Sequence, residues 1–352
     1  LKRQLGEESE AVNLLLSAFE HEKQAAELAR SESCAEPTLS ILHRSAATLA
    51  LDCDKIREAE RLVAIALSLD PPPDIAEELR DVFQNTQFHR HLELHGVALQ
   101  ADELQLSVAG KAVAHGLAES DAFLSRVQFL EKLVYRTAER IRGRAFHEAG
   151  PFPKAILKDF TFYLSVPRAA SFAVTMRMGS SKQMELEGIS DAERVIDDVI
   201  ESLHLLEDQR QDELQIRIPD KGYYRNFVAL ARQIAPDGER INQVGLTIVR
   251  KGEQRSVGLR RPAHETPYVD LVPEIEKKAE PVTVKGFLRF ADSTKDEQKI
   301  KLIAKSKQYI VVVPEGMMAD IVRPLWEYEV IVKGHKVGKK IHLQNIERSA
   351  ES

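Results

Sequence analysis

The sequence predicts a multidomain α+β protein with a helical front, a central antiparallel sheet carrying helices on one face, and a compact strand-rich tail. Three observations predict it. At 352 residues the chain exceeds what one typical core organises, which invites two or three domains. The apolar spacing switches after Gly96 from a helical period to strand alternation. A stretch punctuated by Pro262, Pro267, Pro273 and Pro281, with Glu and Lys between, then marks a linker. The expected divisions are a helical domain at 1–96, an α+β domain at 97–262, a linker at 263–281 and the strand-rich tail at 282–352.

Composition narrows the class. With 43% hydrophobic and 30% charged residues, the chain reads as soluble and globular rather than disordered. Its longest apolar runs fall far short of a membrane-spanning helix, and its polar, acidic start is unlike a signal peptide. Cys34 and Cys53 are the only cysteines and form no C-x-x-C pair, which fits a reducing compartment. A cytoplasmic protein without membrane partner or cofactor is expected. The net charge of -6 hides an asymmetry: residues 1–100 hold 10 Lys and Arg against 18 Asp and Glu, whereas 282–348 hold 13 against 8. A basic tail can meet an anion, or the acidic front itself, although segregated surface charge is the plain alternative.

In the front, residues 7–30 read as a first helix, 43–51 as a second and 56–69 as a third, stopped by Pro71, Pro72 and Pro73. A further helix runs from 74 to about 94. With Ala59 taken as the small residue of one helix, Ala47 falls on the small position of the helix before it. Ile56 and Val63 then take large apolar positions, Ala66 a second small one, and Pro71 closes the unit. On these residues the segment resembles a tetratricopeptide repeat, whose small residues let two antiparallel helices approach closely. His43, Ala46 and Ala50 depart from the usual residues of that repeat. The resemblance implies a protein partner bound through 1–96; a packing unit with no groove of its own is the plain alternative.

The central region is organised around a helix at 120–143. Ser120 and Asp121 offer a cap and an acidic first turn, and Phe123, Val127, Leu130, Val134, Ala138 and Ile141 share one face. Short strands are expected at 97–99 and 104–108, with another at 111–115. Residues 160–166 and 171–178 then read as an antiparallel pair, 190–203 as a helix behind a capping box, and Pro219-Asp220 as the start of another helix ended by Pro236. Strands at 244–250 and 255–260 flank a hairpin turn at Lys251-Gly252-Glu253.

The tail reads as strands at 282–290, 298–304 and 308–313, a short helix at 315–322, then strands at 327–333 and 339–346. In order and length it resembles an oligonucleotide/oligosaccharide-binding (OB) fold, a small five-stranded β-barrel, with an SH3-like barrel as the competing layout. Lys285, Phe287 and Arg289 fall on one side of the first strand, and Val284, Gly286, Leu288 and Phe290 on the other. With the second set in the core, the first places a ring between two cations. A single strand of nucleic acid needs that pairing, a ring to stack on a base and charges to hold phosphates. Lys299, Lys301, Lys333 and Lys340 extend the track; solubilising edge lysines are the plain alternative. Trp326 and Tyr328 read as barrel core.

Other constellations carry less. His91 and His95 share a helical face, as a divalent metal would need, but no third ligand is evident. Tyr223, Tyr224, Arg225 and Asn226 form a polar aromatic cluster that would line a pocket in an enzyme, or merely edge a core. Arg136, Arg140 and Arg144 crowd a helix end and could hold an anion, though helix-end charge balance suffices to explain them. Asp198 reads as solvated. The reading that follows is a non-catalytic adaptor or accessory protein, binding a protein partner through the helical front and a second ligand through the barrel. Its alternatives are a single-stranded nucleic-acid-binding protein using residues 282–352, and an enzyme with its site in the central domain.

Overall fold

The chain is described from a computed structural model, over residues 8–53, 55–92, 99–100, 102–114, 117–148, 150–164, 172–178, 191–262, 280–292, 298–304 and 307–349. The architecture is multidomain α+β, with N-terminal helices, a five-stranded antiparallel sheet with helices, and a C-terminal ring of five strands. By its contacts it divides into two compact units, Leu1–Gly96 and Val97–Ser352. No described helix is long and apolar enough to cross a membrane.

The first unit holds α1 (Glu8–Ser31), α2 (Thr38–Asp52), α3 (Ile56–Leu67) and α4 (Pro73–Leu92). Glu36 opens α2, its carboxylate accepting from the Ser40 amide at 3.2 Å and the Ser40 hydroxyl at 2.8 Å. The core is built largely of alanine. Ala46, Ala47 and Ala50 of α2 and Ala59 and Ala66 of α3 are fully buried with Phe19, Leu62, Val63 and Leu79. Residues this small let helix backbones come close, and each larger side chain that fills the gaps contributes about 1.5–3 kcal/mol by burial. His43 is buried too, its Nδ1 donating to the Leu39 carbonyl at 2.8 Å.

In the second unit the sheet comprises β1 (Glu103–Ala109), β4 (Phe162–Leu164), β5 (Phe172–Met178), β6 (Gln243–Arg250) and β7 (Glu253–Leu259), ordered β4-β5-β1-β6-β7. A separate two-stranded ribbon, β2 (Val113–Ala114) and β3 (Leu117–Ala118), leads into α5 (Ser120–Ile141). The β6–β7 hairpin turns on Lys251 and Gly252 alone, both with positive φ, as its tight two-residue turn requires. Leu104, Leu106, Val108, Val174, Met176, Leu246 and Ile248 share a core with α5, α7 (Asp191–Glu207) and α9 (Lys221–Ile234). On alternate residues a row of small polar side chains, Thr175, Gln105, Thr247 and Ser256, crosses four strands, and its first three members are also buried.

Local chemistry explains the helix starts unevenly. Asp220 caps α9 by accepting from the Tyr223 amide at 3.0 Å. Ser120 does not cap α5: it is the first helical residue, Glu119 precedes it, and no side chain caps that turn. The acids there are held instead by Arg240, which pairs with Glu119 and, at 2.9 Å, with Asp121. Two short helices, α6 (Lys154–Asp159) and α8 (Gln211–Arg217), are too brief for periodicity to reveal. The strand expected at 97–99 falls mostly outside the described residues, and Leu99 itself is not in a strand. The linker expected at 263–281 also lies outside them, save 280 and 281, which belong to a strand.

The ring is formed by β8 (Glu280–Asp292), β9 (Lys299–Ala304), β10 (Lys307–Val312), β11 (Glu329–Val337) and β12 (Lys340–Arg348). Its order is β10-β12-β11-β8-β9, closed on itself, with β10 and β12 parallel and every other pair antiparallel. Leu288, Ile300, Leu302, Val311, Val330, Val332, Ile341 and Leu343 fill its interior. A π-helical turn, Met318–Val322, lies between β10 and β11 and packs on α9. Gly316, just before it, has φ +97°, and a Cβ there would sit 2.7 Å from the Gly222 carbonyl oxygen. Only glycine allows that approach.

Candidate nucleic-acid interface

Along β8 the buried positions are Val284, Gly286 and Leu288, so Lys285 and Phe287 stand on the outer side as expected. Phe290 does not join the core. Leu288 pairs with Leu302 and Phe290 with Lys301, which leaves Arg289 as an extra residue in a β-bulge. The bulge carries Phe290 to the outside, where it is 41% exposed, close to the 42% of Phe287. At 13 residues β8 is longer than its neighbours β9 and β11, with 6 and 9, and the one extra residue bends it and turns the next side chain to the other face.

Strand pairing then sets two rows on the outer face. One runs Glu329, Phe287, Ile303 and Gln308 across β11, β8, β9 and β10. The next runs Phe290, Lys301, Ile310 and Lys340 across β8, β9, β10 and β12. Lys299 lies beyond, opposite Asp292 and Val312. Ile303 and Ile310 are exposed as well, and the second row alternates apolar and cationic groups, whereas the first carries Glu329 and no cation. Each phenylalanine carries its own cation, Arg289 at 5.4 Å from the Phe287 ring and Lys301 at 4.6 Å from the Phe290 ring.

Two of the seven residues expected on this track are engaged by acids: Lys285, on the outer side of β8 next to Phe287, pairs with Glu329 at 3.4 Å, and Lys333 of β11 pairs with Glu347 at 3.6 Å. Trp326 and Tyr328 were expected in the core and are instead 42% and 41% exposed, because aliphatic side chains already fill the interior. Arg348 lies 4.1 Å from the Tyr328 ring.

The second candidate, Tyr223 to Asn226, is part of a packed junction between the sheet layer and the ring. Tyr223, Tyr224 and Asn226 are buried, and burial pushes both phenols up to about 12. Asn226 Nδ2 donates to the Gly316 carbonyl at 2.8 Å and to Asp320 Oδ2 at 2.9 Å. Arg136 Nε donates to the same Asp320 oxygen at 2.8 Å, and its Nη1 reaches Glu139 at 3.2 Å and the His147 carbonyl at 3.0 Å. Lys132 adds a bond to the Asp320 carbonyl at 3.0 Å. Its ammonium is held below the usual lysine range by burial, against the pull of Asp320.

Glu148 accepts from the Gly316 amide, and burial raises its carboxyl. Arg225 lies at the rim, 3.9 Å from Glu315. The crevice among Arg136, Arg140, Tyr223 and Asn226 has room for about one water-sized molecule, far less than a substrate needs. Arg140 is engaged by Asp198, which is largely buried between it and Arg217 rather than solvated. Arg136 and Arg140 are therefore not offered to an outside anion. Sequence reading missed Lys132, Glu148 and Asp320 because their partners lie far along the chain.

His91 lies in α4 with its side chain outside the described residues, and His95 lies outside them altogether. Among the described residues no group of three or more potential ligands is placed to hold a metal ion. Comparison with protein-family models, curated proteins and solved structures gave no significant match to this chain.

Proposed function

We propose that the protein is a non-catalytic adaptor whose ring takes a single strand of nucleic acid on the outer face of β8, β9 and β10. The observation that carries this reading is the pair of exposed phenylalanines, each with a cation against its ring, set in adjacent cross-strand rows. A base stacks on such a ring at a gain of about 1–3 kcal/mol, and the displaced cation turns to the phosphate. Strand order supports the reading. Three antiparallel strands, a helical turn, and a last strand parallel to the third follow the order of the OB fold that the tail resembles, and strands of that fold commonly bind oligonucleotides. The basic excess of residues 282–348 has the sign that phosphates require.

The test is the anisotropy of a labelled single strand titrated with the full chain at low and high salt. Binding that falls steeply with salt, and weakens about tenfold or more in Phe287→Ala, is expected. Absence of binding at low salt would sink this reading and leave the ring as a protein-contact module. A protein partner for the helical front is the accompanying proposal. It rests on Leu14 and Leu28, exposed residues about four turns apart and so on nearly the same side of α1, and on the repeat-like helix packing. The crevice beside Tyr223 and Asn226 gives the enzyme alternative no room for a substrate.

A further inference from the structure

A second group of exposed aromatics lies beside the first. Trp326 and Tyr328 belong to a tight turn in which the Tyr328 amide donates to the Leu325 carbonyl at 3.2 Å. Trp326 has φ -55° and ψ 132°, and Glu327 has φ +66°, which makes it a type II turn. The position with positive φ ordinarily belongs to glycine or asparagine. Glu327 therefore holds a conformation strained for its side chain, and such strain gathers at functional sites.

The turn is laced to β8 at one residue. Leu288 donates to the Tyr328 carbonyl at 3.1 Å, and Glu327 donates to the Leu288 carbonyl at 3.0 Å, so two residues of the turn face one of the strand. Leu288 is also the residue between Phe287 and the bulge at Arg289. Irregularities on both edges of β8 thus converge at this point, and four exposed rings flank it: Phe287, Phe290, Trp326 and Tyr328. Arg348 against Tyr328 repeats the pairing of ring and cation seen at Phe287 and Phe290.

We propose that the turn carrying Trp326 and Tyr328 is a second stacking platform for the same single strand, which crosses β8 at Leu288 and places further bases on these rings. The inference rests on the function proposed above. Glu327 has the wrong charge to attract a phosphate, so the turn contributes stacking, and the phosphates follow Arg289, Lys301 and Arg348. Loss of Trp326 should therefore lower affinity without changing its salt dependence.

Trp326 is the only tryptophan in the chain, so its emission reports this turn in the unaltered protein. Full-length protein is titrated with fluorescein-labelled oligo(dT) to follow anisotropy, and with the unlabelled strand to follow tryptophan emission. Emission should fall in step with anisotropy. Trp326→Leu should weaken binding about tenfold with an unchanged slope against salt, and Trp326→Phe should recover much of the loss. Anisotropy that rises while emission stays constant, with Trp326→Leu binding like the parent, overturns the platform and spares the β8–β10 face. No rise in anisotropy overturns both.

Discussion

Arg136 and Arg289 make the same contact, a guanidinium over a phenylalanine ring, in surroundings that give it different uses. Arg136 is buried 4.9 Å from the Phe146 ring and 4.7 Å from the Phe152 ring, with Asp320, Glu139 and a carbonyl on its nitrogens. Its Nε and Nη1 are both engaged, and the crevice beside it has room for no more than about one water. Arg289 lies 5.4 Å from Phe287 on an exposed strand, where a cation–π contact is worth about 0.5–1 kcal/mol and is readily exchanged for another. Burial turns the first contact into structure. Exposure leaves the second as a ready-made recognition element, so residue type alone does not separate stability from binding.

The strongest way to break this comparison is Asp320→Ala. It would leave Arg136 and the Asn226 amide buried without their shared acceptor, and a loss of about 3–5 kcal/mol is expected in denaturant unfolding of the full chain. A loss under about 1 kcal/mol would mean that the junction is not a tight polar lock. On the exposed side, Lys301→Gln should leave stability within about 0.5 kcal/mol. It should also reduce the slope of log affinity against log salt by about 0.7, the share of one phosphate contact on a single strand. A stability loss like that of Asp320→Ala would erase the distinction between the two regions.

The smallest expected effect concerns Glu148. Burial raises its carboxyl above the ordinary 4.5, against the Gly316 and Ala319 amides, which favour the charged form. The folded state then binds this proton more tightly than the unfolded one. Its contribution to stability is fully present below pH 4.5 and is lost as pH rises through the folded value. Unfolding in denaturant on either side of that window should show wild type losing stability relative to Glu148→Gln as pH rises. The opposite slope would mean that the two amides, not burial, control the group.

Much of the layout was legible because its signals are local. The apolar period of α5, the Asp220 cap of α9 and the Lys251-Gly252 turn each act within a few residues. The outer side of Lys285 and Phe287 was legible for the same reason, since alternation along β8 holds as far as Leu288. Phe290 was not: one extra residue reverses the side a strand residue faces, and the register against β9 decides where it sits. Trp326 and Tyr328 look like core by composition, yet a hydrogen-bonded turn displaces them to the surface.

The sequence by itself determined the order of the longer elements, the Ala-rich front, the alternation of β8 up to its bulge and the basic charge of the tail, since spacing and composition suffice for these. Tertiary structure decided which charges are spent and which are offered. Arg136 meets Asp320 across 184 residues, and Asn226 meets it across 94. No local pattern encodes such a pairing, because the energy that selects it arises only when distant segments leave water together.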